Sequence, residues 1–486
     1  MNLNKKSKLP FMLLCVATLT VVTACGNTSS TSTTTTSSSS ATTNQMSTSE
    51  TNSDYFSDKD LDSSYDESTA SKISLSGSTA SVDGDGVSVE GSTVTISAGG
   101  TYIVSGTSQN VQIVVNAPDT DDVQIVLNGV TMTGEDALIR VDEADNVYIT
   151  LADGSTNSLA DSATQADTDY SAAIYSASDL TLNGSGSLTV NGNYNNAIKS
   201  KDDLVITGGT YTMTAAKHTL SANDALNIVN ASLNLTSTED AIHSDNDEDT
   251  SLGNIYIQSG NITINAGDDG IHASNDLIID GGTIDIQSSY EGIEGKVLTL
   301  NNGDISIVSS DDGLNATDWT ASSDSMQAMD GVAINIAGGT INITADGDGI
   351  DSNGDVYMTG GTVYVNGPTD NGNAALDYDG SASISGGTAY ILGSSGMAQG
   401  FGSSSTQASL MTTLSVSSGD IITVKDSSGN EVGSYTATRS ASSIVFSSPD
   451  LVENDSYTIY INGTSSTTVT ASLDNAGSGM MGGGRR

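Results

Sequence analysis

The sequence predicts an all-β protein: a right-handed parallel β-helix of about 22 residues and three short strands per coil, followed by a small C-terminal antiparallel β module. Three observations carry this. Short runs of Val, Ile, Leu and Thr alternate with polar residues between Gly, Asn and Asp, and helical periodicity is absent. The apolar residue of a recurring phrase, acid-acid-Gly-Ile or its degenerate equivalent, falls at Ile198, Leu220, Ile242, Ile271, Ile293, Leu314, Ile350 and Leu376, in steps of 22, 22, 29, 22, 21, 36 and 26. A second phrase, Gly-Gly-Thr before an alternating run, keeps that register at Thr207–Met213, Asp280–Ile286, Ala337–Ile343 and Thr359–Val365, with a variant at Ser259–Ile264.

Each Gly-Gly-Thr phrase reads as a corner that needs positive φ, then a strand with alternate residues inward. The longer steps hold insertions around Asp245 to Thr250 and Thr317 to Asp330. A nine-residue calcium roll does not fit these steps, and a β-propeller needs blades of about 40 residues or more. With 36% hydrophobic and 5% aromatic residues, the chain is thin for one globular core but sufficient for a solenoid.

The elements follow in order. Lys5, Lys6 and Lys8 precede an apolar run, Phe11 to Val22, too short to span a membrane comfortably, so residues 1–24 read as a signal peptide. Val22-Thr23-Ala24-Cys25 resembles the lipobox of bacterial lipoproteins, which implies that Cys25 is lipidated and the protein is extracellular, held to the membrane through its lipid anchor only. Cys15 leaves with the signal, so the mature chain has no second Cys for a disulfide. Residues 25–71 read as a disordered Ser/Thr-rich stalk, 72–404 as the parallel β-helix, 405–474 as the C-terminal module that caps the solenoid, and 475–486 as a disordered Gly-rich tail. A monomer is expected.

Charge narrows the partners. Asp and Glu number 59 against 14 Lys and Arg, a net charge of -45, which excludes nucleic acid and favours an oxygen-seeking cation. Alignment on the Ile column stacks Glu239-Asp240, Asp268-Asp269, Glu291, Asp311-Asp312 and Asp348 just before it, and His243, His272, Glu294, Asn315, Asp351 and Asp377 just after. Like charges about 5 Å apart at an effective dielectric near 20 repel by roughly 3 kcal/mol per pair. Calcium between coils answers this, with Asp240, Asp268, Asp269, Glu291, Glu294, Asp311, Asp312, Asp348 and Asp351 as candidate ligands. A solvated acidic ridge is the simpler alternative, but it does not account for recurrence in register. His243 and His272 read as a polar stacking ladder rather than a transition-metal site, because the chain has 3 His and no available Cys. Lys217-His218 and Asn195-Asn196 break the acidic pattern, so metal on those coils is not expected, and Lys217 reads as a counter-ion for Glu239-Asp240.

From about Ile73 to Ser472 the chain resembles a secreted bacterial carbohydrate-binding family with a polysaccharide-lyase-like, calcium-containing β-helix. The resemblance rests on an ordered series of phrases: Gly99-Gly-Thr-Tyr-Ile-Val-Ser-Gly106, Val126-Leu-Asn-Gly-Val130, the run from Leu180 to Tyr194, Asp203-Leu-Val-Ile-Thr-Gly-Gly209, Asp268-Asp-Gly-Ile-His-Ala273 and Val424-Lys-Asp-Ser-Ser-Gly-Asn-Glu431. It implies binding of plant cell-wall polysaccharide, cellulose or acidic pectic sugars, without lyase chemistry as its hallmark.

A sugar binder needs exposed rings. Trp319, the single Trp, lies in an insertion, and Tyr290 and Tyr378 lie beside the acidic column, so these three are the candidate carbohydrate contacts. A calcium-dependent polysaccharide lyase would need a Lys or Arg as base. Lys217 is the single basic residue inside the column, an ion pair explains it equally well, and no catalytic residue is assigned. A structural adhesin, with the β-helix as spacer for the C-terminal module, is the third reading.

Overall fold

Among the described residues, alternation between β-forming and turn-forming residues leaves room for one short α-helix, Asp58–Leu61, and the remaining elements are strands joined by turns. The computed structural model describes residues 54–165, 167–321 and 327–476, so the expected signal peptide, Cys25, most of the stalk and nearly all of the tail lie outside the described residues. The protein is all-β, with large parallel-rich sheets of 26 and 13 strands and a four-stranded antiparallel sheet.

From Ile139–Glu143 onward the parallel pairing follows one rule: each strand bonds to the third strand further along the chain. Thus Leu204–Ile206 pairs with Ala225–Ile228, which pairs with Asn254–Ile257 and then Asp276–Ile279. Thr210–Ala215 pairs with Ala231–Ser237, then Gly260–Asn265, then Thr283–Ser289. In the 13-stranded sheet, Leu220–Ala222, Ile242–Ser244, Ile271–Ala273, Ile293–Gly295, Leu314–Ala316 and Ile350–Ser352 pair in that order. The register sets Ile198 beside Leu220, then Ile242, Ile271, Ile293, Leu314 and Ile350, the same column that the sequence phrase marks.

These aliphatic columns make the core. Ile242, Ile271, Ile293 and Leu314 are fully buried, as are Leu226, Leu277 and Leu298 on the facing ladder, and all join one continuous cluster. Each such side chain contributes about 1.5–3 kcal/mol by leaving water. Two kinds of glycine allow the tight stacking. The second Gly of the Gly-Gly-Thr corners, such as Gly282 and Gly339, has φ of 95° and 78°, conformations open to Gly at little cost. The Gly of the acid-acid-Gly-Ile phrase has a different reason: a Cβ on Gly270 would stand 2.6 Å from the carbonyl oxygen of Gly292, and one on Gly349 2.6 Å from that of Ala375.

Both ends change strand direction. Ser71–Gly77 bonds antiparallel to Thr79–Asp83 on one edge and parallel to Gly100–Gln109 on the other. At the far end Thr388–Gly393 bonds antiparallel to Ala441–Ser447, which also pairs with Ser409–Val416. Ile421–Lys425, Glu431–Thr436, Ser456–Ile461 and Thr464–Thr470 form the four-stranded sheet, with a second core around Tyr390, Leu410 and Phe446.

Residues 54–70 correct the expectation of a disordered stalk up to residue 71. Phe56 is buried with Val205, Val229 and Tyr256, and Tyr55 stacks on Tyr256 at 3.8 Å. Asp60 accepts from the Thr181 hydroxyl (2.5 Å), and its carbonyl accepts from that of Thr207 (2.6 Å). Unlike the Ser/Thr tract before it, this segment carries Tyr55, Phe56, Leu61 and Tyr65, enough apolar surface to offset the ordering cost.

Candidate functional site

The strands of the 13-stranded sheet that follow the acidic phrases are three residues long, and their central residues form one column: Ser221, His243, His272, Glu294, Asn315 and Asp351, with Asp377 next to Asp351. Upstream the same column holds Arg140, Tyr175 and Lys199. Beside it, on the turn entering each strand, stand His218, Asp240, Asp269, Glu291, Asp312 and Asp348.

The two columns engage each other. His243 Nδ1 lies 2.7 Å from Asp240 Oδ2, and His272 Nδ1 lies 3.0 Å from Asp269 Oδ2 and 2.7 Å from Glu294 Oε2. Asn315 Nδ2 donates to Glu291 Oε2 (2.7 Å) and Glu294 Oε1 (2.9 Å). The turn carboxylates also accept backbone amides from the next strand along: Asp240 from Asp269 (3.0 Å), Asp312 from Asp348 (2.6 Å) and Asp348 from Ala374 (2.5 Å). Each therefore staples one repeat to the next, and the second oxygen of Asp240 meets His243.

Burial makes charge costly here. It pushes Glu291 up to about 7 and Glu294 to about 9, although hydrogen bonds from Asn315 and His272 oppose this. Burial, reinforced by neighbouring carboxylates, holds Asp312 and Asp348 at about 7 and Asp351 at about 8. Asp240 moves the other way: burial would raise it, but the contact with His243 and the nearby rings of His272 and His218 outweigh that. Burial likewise opposes charge on His272, yet Asp269 and Glu294 lift it well above the ordinary imidazole value. For His218 burial wins, with His243 adding to it, and the ring falls to about 3.

The predicted ligands separate into two classes. Candidate ligand atoms of Asp312, Asp348 and Asp351 lie within 4.8 Å of one another, as do those of Asp269, Glu291 and Glu294, and those of Asp240, Asp269 and His272. Asp268 and Asp311 join no such group among the described residues; consecutive acids on a turn diverge, and Asp268 is exposed. The two carboxylate groups supply oxygen donors only, and Asn315 Oδ1, between them, is buried without a hydrogen-bond partner. Such a donor set fits calcium, which takes oxygen ligands at about 2.3–2.6 Å in flexible geometry. Lys217 Nζ lies 3.5 Å from Glu239 Oε2, both half exposed.

The aromatic candidates also divide. Tyr290 and Trp319 are 47% and 62% exposed, with Trp319 beside a Lys296–Asp318 ion pair of 2.8 Å. Tyr378 packs against the aliphatic core and donates its hydroxyl to the Gly400 carbonyl (2.8 Å), which removes it as a free platform. Two features escaped the sequence reading. His218 stacks on His243, and Asp179, Asp202 and Asp203 gather on the larger sheet, where burial raises Asp179 to about 6 and Asp203 to about 7. The recurring acid before Leu180, Leu204 and Leu277 was the available signal for the second.

Comparison with known proteins adds chemistry to this geometry. Residues 90–320 match the family model described as carbohydrate-binding domain-containing protein. A carbohydrate-binding domain-containing protein of Acetivibrio thermocellus is 36% identical over 122 residues, 24% of this chain and 43% of the relative, so the match spans less than half of that protein. A solved structure titled as a gadolinium derivative of the polysaccharide lyase-like protein from C. thermocellum shares 32% identity over 51% of this chain and 98% of that chain, with a TM-score of 0.41.

Proposed function

We propose that this chain is a cell-surface carbohydrate-binding lipoprotein that holds polysaccharide of the cellulose or acidic pectic type. In this reading the body is a right-handed parallel β-helix with coils of about 22 residues and three strands each. Cys25 carries the lipid, and the Ser/Thr-rich tract lifts the body from the membrane.

The observation that carries the proposal is the stack of carboxylates in consecutive repeats, of which Glu291, Glu294, Asp312, Asp348 and Asp351 are buried enough to resist ionisation. Calcium, when bound, neutralises that charge and leaves coordination positions for hydroxyl or carboxylate oxygens of a sugar. Asp269, Glu291 and Glu294 would hold one ion and Asp312, Asp348 and Asp351 another. Tyr290, exposed next to Glu291, offers a ring face to a sugar, and Trp319 offers a second. The carbohydrate-binding match over residues 90–320 supports the ligand class and covers the first carboxylate group and part of the second.

The full chain is tested against soluble and insoluble polysaccharides, with calcium and with a chelator. Binding to one polymer class, lost on chelation and weakened about tenfold by Tyr290→Ala, a loss of about 1.4 kcal/mol, is expected. Binding to no polymer sinks the reading in favour of an adhesin, and release of ultraviolet-absorbing unsaturated uronate would recast the protein as a lyase.

A further inference from the structure

We infer that His218, His243 and Asp240 form a site for one transition-metal ion of the zinc class, distinct from the oxygen-only carboxylate groups further along the column. All 3 histidines of the 486-residue chain stand side by side. The His218 and His243 rings stack at 4.1 Å and 8°, and those of His243 and His272 at 5.1 Å and 16°. Candidate ligand atoms of His218, Asp240 and His243 lie within 4.8 Å of one another.

Stacking alone does not account for His218. The residue is 4% exposed, and neither ring nitrogen has a hydrogen-bond partner. Nδ1 stops 3.5 Å from Asp240 Oδ2 and Nε2 3.7 Å from Glu239 Oε2. Buried polar atoms without partners are costly and uncommon, and two on one ring, facing a carboxylate and a second imidazole, match a ligand set without its ion.

The same comparison fixes which trio is used. His272 Nδ1 is committed to Asp269 and Glu294, outside the trio, whereas His218 is uncommitted and His243 Nδ1 is held by Asp240, itself a member of the trio, so an ion would replace that one contact. Asp240 is held from behind by the Asp269 amide, the kind of supporting hydrogen bond that orients metal ligands. A cleft of about 700 Å³, lined by Lys199, Lys217 and Asp245 among others, reaches His243. Imidazole nitrogen favours zinc, copper, cobalt and nickel, whereas calcium prefers oxygen, so the ion classes divide the column between them. Bonds of about 2.0–2.1 Å to each nitrogen require the parallel rings to tilt toward each other.

The test uses the untagged full chain, stripped by chelator, returned to excess calcium and titrated with Co²⁺ alone as the probe. One retained equivalent with visible d–d absorption, displaced by Zn²⁺ and not by calcium, is expected. His218→Ala abolishes it. His243→Gln, altering a partly exposed ring, abolishes it too, with an unchanged circular dichroism spectrum showing that the fold survives. No retained Co²⁺ in calcium, or equal retention by His243→Gln, overturns the site and leaves the rings as packing. Calcium-dependent polysaccharide binding by His243→Gln is scored in parallel; its survival separates failure of this site from failure of the carbohydrate reading.

Discussion

One polar column runs along the 13-stranded sheet, and its two halves carry different chemistry on the same backbone. From Arg140 to His272 it presents Arg, Tyr, Lys, Ser and two imidazoles; from Glu294 to Asp377 it presents carboxylates and one amide. Beneath both halves the same aliphatic positions repeat without exposure. The backbone is set by what points inward, and the outward residue of each repeat is left to function. A change of ligand preference along the molecule therefore needs no change of fold.

The strongest way to break this comparison is to cut the inward column in each half. Leu220→Ala and Leu314→Ala both remove a fully buried side chain, and each costs about 2–5 kcal/mol, measured by denaturant unfolding. A cost confined to one half would mean that the polar column also carries the fold.

A smaller effect separates the halves by pH. Glu291, Asp312 and Asp348 stand at about 7 and Asp351 at about 8 in the folded protein, against roughly 4 for a free carboxyl. The folded state binds protons that the unfolded state has released, so in chelator the contribution of these four carboxyls to stability is fully present below about pH 4 and is lost as the pH rises through about 8. Saturating calcium flattens that slope. His218 acts in the opposite sense: its ring, lowered to about 3, contributes stability above its ordinary value near 6.5, lost as the pH falls toward 3. Denaturant midpoints between pH 4 and 8, with and without calcium, read both signs.

The smallest effect sharpens the boundary. Lys217 and Glu239 form a 3.5 Å pair with about half of each side chain exposed, so Lys217→Ala changes stability by less than about 1 kcal/mol. A larger loss would make the lysine part of the architecture.

The column of Ile198, Leu220, Ile242, Ile271, Ile293, Leu314 and Ile350 was legible because a parallel ladder repeats one local environment, so the same residue type returns at the same offset. The corner glycines were legible for the same reason. His218 was not: it stands where most repeats carry an acid, and its meaning comes from a ring in the next strand. Residues 54–70 were masked by the Ser/Thr tract before them, since a few aromatics settle on a surface that composition does not describe. Tyr290 stands three residues before its column residue Ile293, on the turn, whereas Tyr378 follows Leu376 by two on the strand, beside buried Ser352, a parity that points inward.

The antiparallel strands at both ends bear on crowding. A row of parallel strands with open edges is a template on which another copy could lay its own first strand, molecule after molecule. Here Thr79–Asp83 closes one edge and Ala441–Ser447 another, each running against the grain of its ladder. At those two places the parallel ladder is interrupted, so a second copy cannot continue it in the same register and direction.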